Sequence, residues 1–592
     1  MFDTNRTSLA TGIVLTLVVL LVFVYHFSVA HAACIPGINC PWPDLILNSA
    51  KPFQPVFDQN ELIENKYFKF RLEIISPFAD GSIIPIQFVK VVNVNGQPIE
   101  IIGVTEDVPL DHGLNLKYFP TIPGLVDNDM GHTCLKVIID PLNMIRESTK
   151  ENNEIMTCLL IEDTKQLRVG FIPVNLGDTG VPTGESMNRI SSLSTSFLED
   201  TFPVSDWGER QLVSYTSPFW VPYANIDDAI RGLARTSWFT GDTEVPHYDV
   251  FVGVVKNNAL GEDISGAALS PHNSALVEET HAHGAITAHE IAHSMGWVPP
   301  DNPQWDPGNH LDYYPSPGYW VNKRCEMGFF LWSRETPCDT NQTPLDFMHF
   351  SSSEEGVNVD RWISKPTFEY LLNFLKVRPA PEVPIIGTGG IIFPNGTGTW
   401  DPWYRFVGVP DIPLNNKGQY RILYLDKNGS KITETGFDSF AHLSEGLEPN
   451  VSFLSLKIPD VQGVNKIVIQ NGTHVLVERI ISPNHPKVKI ISPNGTDTFK
   501  TNDTIKIKWN ASDLDVGDKL WSMVSFSQDN GTTWLPITSE TTVKEINLTI
   551  PRYIYTNSAL VRVITTDGIN SAVDISKPFY IIPASNSTLS IN

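Results

Sequence analysis

Residues 281–297 read HAHGAITAHEIAHSMGW. Apolar and small residues fall at Ala285, Ile286, Ala288, Ile291, Ala292 and Met295, a helical period that gives the segment a face to bury. His289 and His293 are four apart, so on that helix both imidazoles rise from one face and can reach one ion. Zinc suits such a nitrogen pair. Glu290 adjoins the first histidine and is placed to take a proton from an attacking water. Ser274–Thr280 (SALVEET) supplies a short strand before the helix, and Gly296 ends it where the chain reverses. His281 and His283 stand near the helix start and read as polar rim residues.

Working outward, LRVGFIPV (residues 167–174) and YDVFVGVV (residues 248–255) read as strands. Helical spacing runs through residues 186–202, 226–239 and 361–376. Strands alternating with helices predict an α/β unit over residues 165–380. VRPAPEVP (residues 377–384) reads as a proline-rich linker. Residues 43–163, 385–482 and 485–583 return to short period-two runs separated by turn clusters, which predicts all-β immunoglobulin-like sandwiches.

HEIAHSMGW resembles the metzincin metallopeptidases, whose pattern is H-E-x-x-H-x-x-G-x-x-H followed by a methionine turn. His289, Glu290, His293 and Gly296 match it, and LDFMHF places Met348 in a run like that turn. The resemblance implies a multidomain chain with an α/β zincin-like domain flanked by all-β sandwiches. It also implies one catalytic zinc with Met348 as an apolar floor beneath it. Two positions depart from the pattern. Pro299 stands where the third histidine belongs, and Phe350 stands where some members carry a tyrosine; Tyr313, Tyr314 and Tyr319 are the substitute donors. A catalytic zinc takes three protein groups and leaves one position open. The third ligand is therefore sought further on, among Asp301, Asp306, His310, Asp312 and Glu326. His310 is preferred because it follows the turn Asp306-Pro307-Gly308-Asn309 and offers an imidazole.

The rest of the chain sets the compartment. Residues 13–27 are apolar and are followed by Ala30-His31-Ala32, so residues 1–32 read as a secretory signal peptide, with an uncleaved anchor as the alternative. Six cysteines in an exported chain imply disulfides, and proximity pairs Cys34 with Cys40, Cys134 with Cys158 and Cys325 with Cys338. Eleven N-x-S/T sequons follow the signal, ten of them beyond residue 390, which marks the C-terminal part as sugar-tolerant. With 42 Lys and Arg against 66 Asp and Glu the formal charge is −24, so nucleic acid and anionic membranes are excluded as main partners. A membrane is met only through the N-terminal segment if it stays uncleaved.

Residues 138–155 (IIDPLNMIRESTKENNEI) resemble the last hairpin of CARDB modules, which are immunoglobulin-like domains of prokaryotic surface proteins. That resemblance implies that Cys134 and Cys158 face each other across two antiparallel strands. Ser527-x-Asp529-x-Gly531-x-Thr533-Trp534 matches the Asp-box hairpin, and its single occurrence does not support a propeller. DLDVGD (residues 513–518) reads first as a solvated acidic loop and second as a Ca2+ site. The functional expectation is a secreted or surface zinc endopeptidase acting on protein or peptide substrates, among them cell-surface or matrix glycoproteins. The alternative is a non-catalytic surface adhesion protein with a degenerate zincin scaffold. A glycan-processing enzyme ranks third, since no paired carboxylates are identifiable.

Overall fold

The computed structural model describes residues 44–584, apart from 54–60, 67–68, 95–96, 120–130, 240–246, 262–263, 270–272, 281–283, 298–344, 348–360, 364, 379, 439–451 and 516. The expected signal peptide and Cys34, Cys40, Cys325 and Cys338 lie outside the described residues. The chain divides after Glu162 into two compact units.

The first unit is a β-sandwich. Its strands are β1 (Ile46–Phe53), β2 (Glu61–Ile63), β3 (Lys69–Ser76), β4 (Ser82–Val94), β5 (Gln97–Leu110), β6 (Gly113–Phe119), β7 (Gly131–Ile139) and β8 (Glu154–Glu162). One sheet has the order β1-β3-β6 and the other β2-β8-β7-β4-β5. Alternate residues of both sheets, among them Phe70, Leu72, Ile74, Ile86, Phe88, Leu135 and Val137, meet in one apolar core. Cys134 pairs with Cys158 across β7 and β8, and the two form a disulfide. The β7–β8 turn is tied by Asp140, which accepts from the Met144 and Ile145 amides, and by Lys150, whose ammonium reaches Asp140 and Glu147.

The second unit begins with a mixed sheet. Its strands are β9 (Gln166–Leu176), β10 (Val213–Thr216), β11 (Val221–Tyr223), β12 (His247–Val255), β13 (Gly266–Leu269) and β14 (Ser274–Glu278). The order is β10-β9-β12-β14-β13, with β11 also on β9; β13 alone runs antiparallel to its neighbour. Three helices cover the sheet: α1 (Gly184–Thr201), α2 (Ile226–Ser237) and α3 (Gly284–Ser294). Thr183 caps α1 and Asn225 caps α2, each side chain accepting an early amide. Ala267 and Leu269 share an apolar cluster with Leu233 and Ile230 of α2, so the alternate residue Gly266 faces the opposite side, against Glu290 of α3. Helices on both faces explain why β9 is buried along most of its length rather than alternating. A fourth helix, α4 (Lys365–Leu375), follows the strand pair β15 (Leu345–Asp346) and β16 (Arg361–Trp362).

Two further sandwiches follow. The first uses β17 (Val383–Ile392), β18 (Gly398–Trp400), β19 (Tyr404–Gly408), β20 (Tyr420–Leu425), β21 (Lys431–Phe437), β22 (Ser452–Pro459), β23 (Lys466–Asn471) and β24 (His474–Ile480) in two sheets. The second spans Lys487 to Ile582 in sheets of three and six strands around Trp509, Phe526, Val563 and Phe579.

This architecture corrects the fold class expected from the sequence. Strand makes up 50% of the described residues and helix 12%, in four helices, so the chain is mostly β and not an α/β zincin-like protein with β flanks. The physical reason is one of scope. A five-residue motif fixes the face of one helix, not the layers around it, and the same helix chemistry is compatible with many folds. The sheet that carries α3 is one of eight among the described residues.

Candidate metal centre

Helix α3 is 11 residues long and largely buried, with Ala288, Ile291 and Ala292 fully enclosed. It packs closely on α1. Gly284 lies so near Phe197 that a Cβ there would stand 2.3 Å from the Phe197 Cβ, and Ser194 donates to Thr287 at 2.8 Å inside the contact. At the far end Met295, Gly296 and Trp297 donate back to Ile291, His293 and Ala292, and Gly296 takes φ +90° to make the reversal. Tyr370 of α4 donates to the Met295 carbonyl, and its ring lies 4.7 Å from that of Trp297.

The two histidines converge as their spacing requires. His289 Nε2 and His293 Nε2 are 2.9 Å apart, and the rings are nearly perpendicular at 81°. His289 is 8% exposed; His293 is half-buried. Each ring is held by its other nitrogen. His289 Nδ1 lies 3.1 Å from the Phe347 carbonyl, and His293 Nδ1 lies 2.8 Å from the Trp297 carbonyl. A carbonyl only accepts, so these partners assign a proton to Nδ1 of both rings, and with both rings neutral each Nε2 is left as a lone-pair donor facing the other. Two lone pairs facing each other at this distance repel, and a cation between them reverses the sign. Two imidazole nitrogens, each about 2.0–2.1 Å from a zinc, stand a little over about 3 Å apart, close to the spacing seen. The residues present therefore fit a zinc ion.

Glu290 is 3% exposed and packs against β13. A Cβ on Gly266 would stand 2.5 Å from Glu290 Oε1 and 2.7 Å from its Cγ, so the glycine makes room for this carboxylate. Phe347 is buried between Phe197 and Phe202 of the α1 region, with ring centroids 6.0 and 5.9 Å away. That packing aims its backbone carbonyl at His289.

Of the residues singled out from sequence, His289, Glu290 and His293 are together. Pro299, Asp301, Asp306, His310, Asp312, Tyr313, Tyr314, Tyr319, Glu326, Met348 and Phe350 lie outside the described residues, as do His281 and His283. Gly266, Phe347 and Trp297 escaped the sequence reading. The motif run pointed one residue past Phe347, and Trp297 could have been found from the Gly296 reversal. A backbone carbonyl carries no side-chain signature, and a lone glycine in a strand has many readings.

The second candidate, the acidic loop, brings Asp513, Asp518 and Asp567 together with carboxylate oxygens within 4.8 Å of one another. Burial, with Asp567, Asp513 and Asp515 nearby, raises the Asp518 carboxyl above its ordinary range. The Asp-box segment closes on itself. Asp529 accepts from Ser527 Oγ at 2.7 Å, from the Thr533 amide at 2.8 Å and from Thr533 Oγ1 at 2.5 Å. Arg562 stacks over the buried Trp534 at 4.3 Å.

No family model matches the chain, and no curated protein matches it. Solved structures resemble parts of it. A CARDB domain from Pyrococcus furiosus, described in complex with di-metal ions, is 13% identical and covers 21% of this chain and 96% of its own, with a TM-score of 0.15. A domain of a putative cell surface protein from Methanosarcina acetivorans is 18% identical over 20% of this chain and 92% of its own, at a TM-score of 0.16. Fibronectin(III)-like modules of CbhA from Clostridium thermocellum are 15% identical over 30% of this chain and 94% of theirs, at 0.15. The two-sheet sandwich of residues 44–162 has the immunoglobulin-like architecture expected there from the sequence. Among the described residues no helix is long and apolar enough to cross a membrane.

Proposed function

We propose that this chain is a modular surface or extracellular protein in which α3 holds a zinc ion between His289 and His293 and hydrolyses peptide bonds with Glu290 as base. The observation that carries the proposal is the 2.9 Å approach of two Nε2 atoms whose Nδ1 partners are both backbone carbonyls. Such an arrangement fixes tautomer and ring orientation in advance, which a metal ligand requires and an exposed surface histidine does not. Zinc, when bound, supplies Lewis acidity toward a carbonyl oxygen. The chain's own residues do the rest. Phe347 and Trp297 hold the imidazoles. Glu290, enclosed against Gly266, takes a proton from the attacking water and returns it to the departing amine. His310 remains the proposed third ligand, with Met348 beneath the site.

The β-rich architecture favours a second reading, a non-catalytic surface protein built from cell-surface and fibronectin-like modules. One experiment separates the two. The secreted protein is assayed for metal by mass spectrometry and for cleavage of casein, beside Glu290→Gln. The expected result is one zinc in both proteins, with cleavage at least about a thousandfold lower in the variant. Equal cleavage by Glu290→Gln overturns the base assignment. Zinc in both without cleavage in either favours the second reading, and a well-folded protein without metal overturns the site.

A further inference from the structure

Helix α2 carries two arginines, Arg231 and Arg235, each only 5% exposed. Their partners come from the two C-terminal sandwiches. Asp401, in the turn between β18 and β19, takes Arg231 Nη1 on Oδ1 and Arg235 Nη1 on Oδ2, both at 2.5 Å. Glu540, in the last sandwich, takes Arg235 Nε on Oε1 and Nη2 on Oε2, both at 2.8 Å, a fork-on-fork pair. Tyr404 donates to Glu540 at 3.0 Å, and Asp228 binds the remaining arm of Arg231 at 2.9 Å. Arg479 reaches the Asp401 carbonyl at 3.4 Å and lies over the Trp403 ring. Two guanidinium groups thus meet two enclosed carboxylates at the point where three modules touch.

The apolar contacts around the cluster cross the same boundaries. Ile391 of β17 and Phe453 of β22 belong to the cluster built on Ile230 and Leu233. Trp238, just past α2, stacks on Phe406 at 6.0 Å, and Phe239 lies 4.9 Å from the same ring and 5.5 Å from Tyr404. Gly387 admits the Trp238 ring, since a Cβ there would stand 2.4 Å from it. Phe219, before β11, enters the core of the last sandwich 5.2 Å from Phe526.

We infer that this cluster is an interlock, in which the two C-terminal sandwiches act as a built-in partner of helix α2 and the module bearing α3 depends on them for its stability. The reasoning is one of desolvation. Buried guanidinium groups without carboxylates are strongly unfavourable, whereas a complete bidentate set is tolerated. Asp401 and Glu540 come from two different modules, so neither sandwich alone completes the set. This inference is independent of the chemistry proposed for α3.

The test uses the full chain with a specific protease site inserted between Ala380 and Pro381, an exposed stretch between α4 and β17. After cleavage the two pieces of the otherwise native chain are expected to elute together on gel filtration, in low salt and in high. In Asp401→Asn/Glu540→Gln the cut pieces are expected to separate at least about tenfold faster, and amide exchange in residues 226–237 to rise. Should the double variant fail to fold, Arg235→Lys replaces it. Lysine keeps the charge but loses the fork, and the same separation is expected to a smaller degree. Cut wild-type pieces that part as two folded fragments would overturn the interlock. So would a double variant, or Arg235→Lys, that holds together as tightly as the native chain.

Discussion

The Asp-box hairpin and the α3 site are both small polar constructions, and they differ in where their parts come from. In the hairpin every partner lies within seven residues, from Ser527 to Thr533, and the geometry follows from local backbone chemistry, with Asn530 at φ +60° and Gly531 at φ +91°. At the α3 site the helix brings the histidines, but the groups that orient them come from Trp297 and from Phe347, 58 residues beyond His289. The room for Glu290 comes from a different strand altogether, at Gly266. A local construction survives changes elsewhere in its module, whereas a long-range one is only as well defined as the packing that joins its elements.

That contrast can be broken experimentally. The largest effect is expected at Gly266→Ala. The added Cβ would fall 2.5–2.8 Å from three atoms of the enclosed Glu290 carboxyl group and side chain, so Glu290 must shift. On the proposed function, a displacement of the base by about 1 Å costs on the order of a hundredfold in rate, while metal binding by the two histidines is kept. Metal-to-protein ratio and initial cleavage rate measured on one preparation check this. An unchanged rate would show that Glu290 is not positioned by β13.

Asp529→Ala comes next. It removes one acceptor of three hydrogen bonds in a half-buried turn, and a loss of about 2 kcal/mol in the stability of the last sandwich is expected from denaturant unfolding. If the hairpin is as local as it looks, metal binding at α3 is untouched by this variant.

The smallest effect belongs to the acidic loop. The Asp518 carboxyl is raised in the folded state, so folding favours its protonated form. Its unfavourable contribution is absent at pH values below the ordinary carboxyl range, grows between the ordinary and the raised value, and is complete above it. The group is largely solvated, so solvent screening limits the gain from Asp518→Asn to a few tenths, about 0.3 kcal/mol at pH 7, with no gain at pH 3. Thermal unfolding at the two pH values measures it. A loss of stability at pH 7 would mean that the charge is used, as a cation site would use it.

Interdependence of the modules was the least legible feature. VRPAPEVP reads as a linker, and residues on either side of it read as separate domains, because proline content and period-two alternation are local signals. Arg231 and Arg235 lie within the helical spacing of residues 226–239, which carries no sign of their partners. Their carboxylates stand 170 and 305 residues away at Asp401 and Glu540, and nothing in the spacing of the chain announces such a meeting.

By itself the sequence determined what short-range geometry controls. It set the helical face shared by His289 and His293, with Glu290 beside it, and the closure of the Asp-box turn. Backbone dihedrals and side-chain periods act over a few residues, so these could be read directly. The tertiary structure alone decided that the chain is mostly β, that the Phe347 carbonyl and the absent side chain of Gly266 shape the site, and that α2 is locked to two other modules. Those outcomes depend on which apolar faces are buried against which. That choice is made by the summed packing of elements far apart in the chain, and no local pattern encodes it.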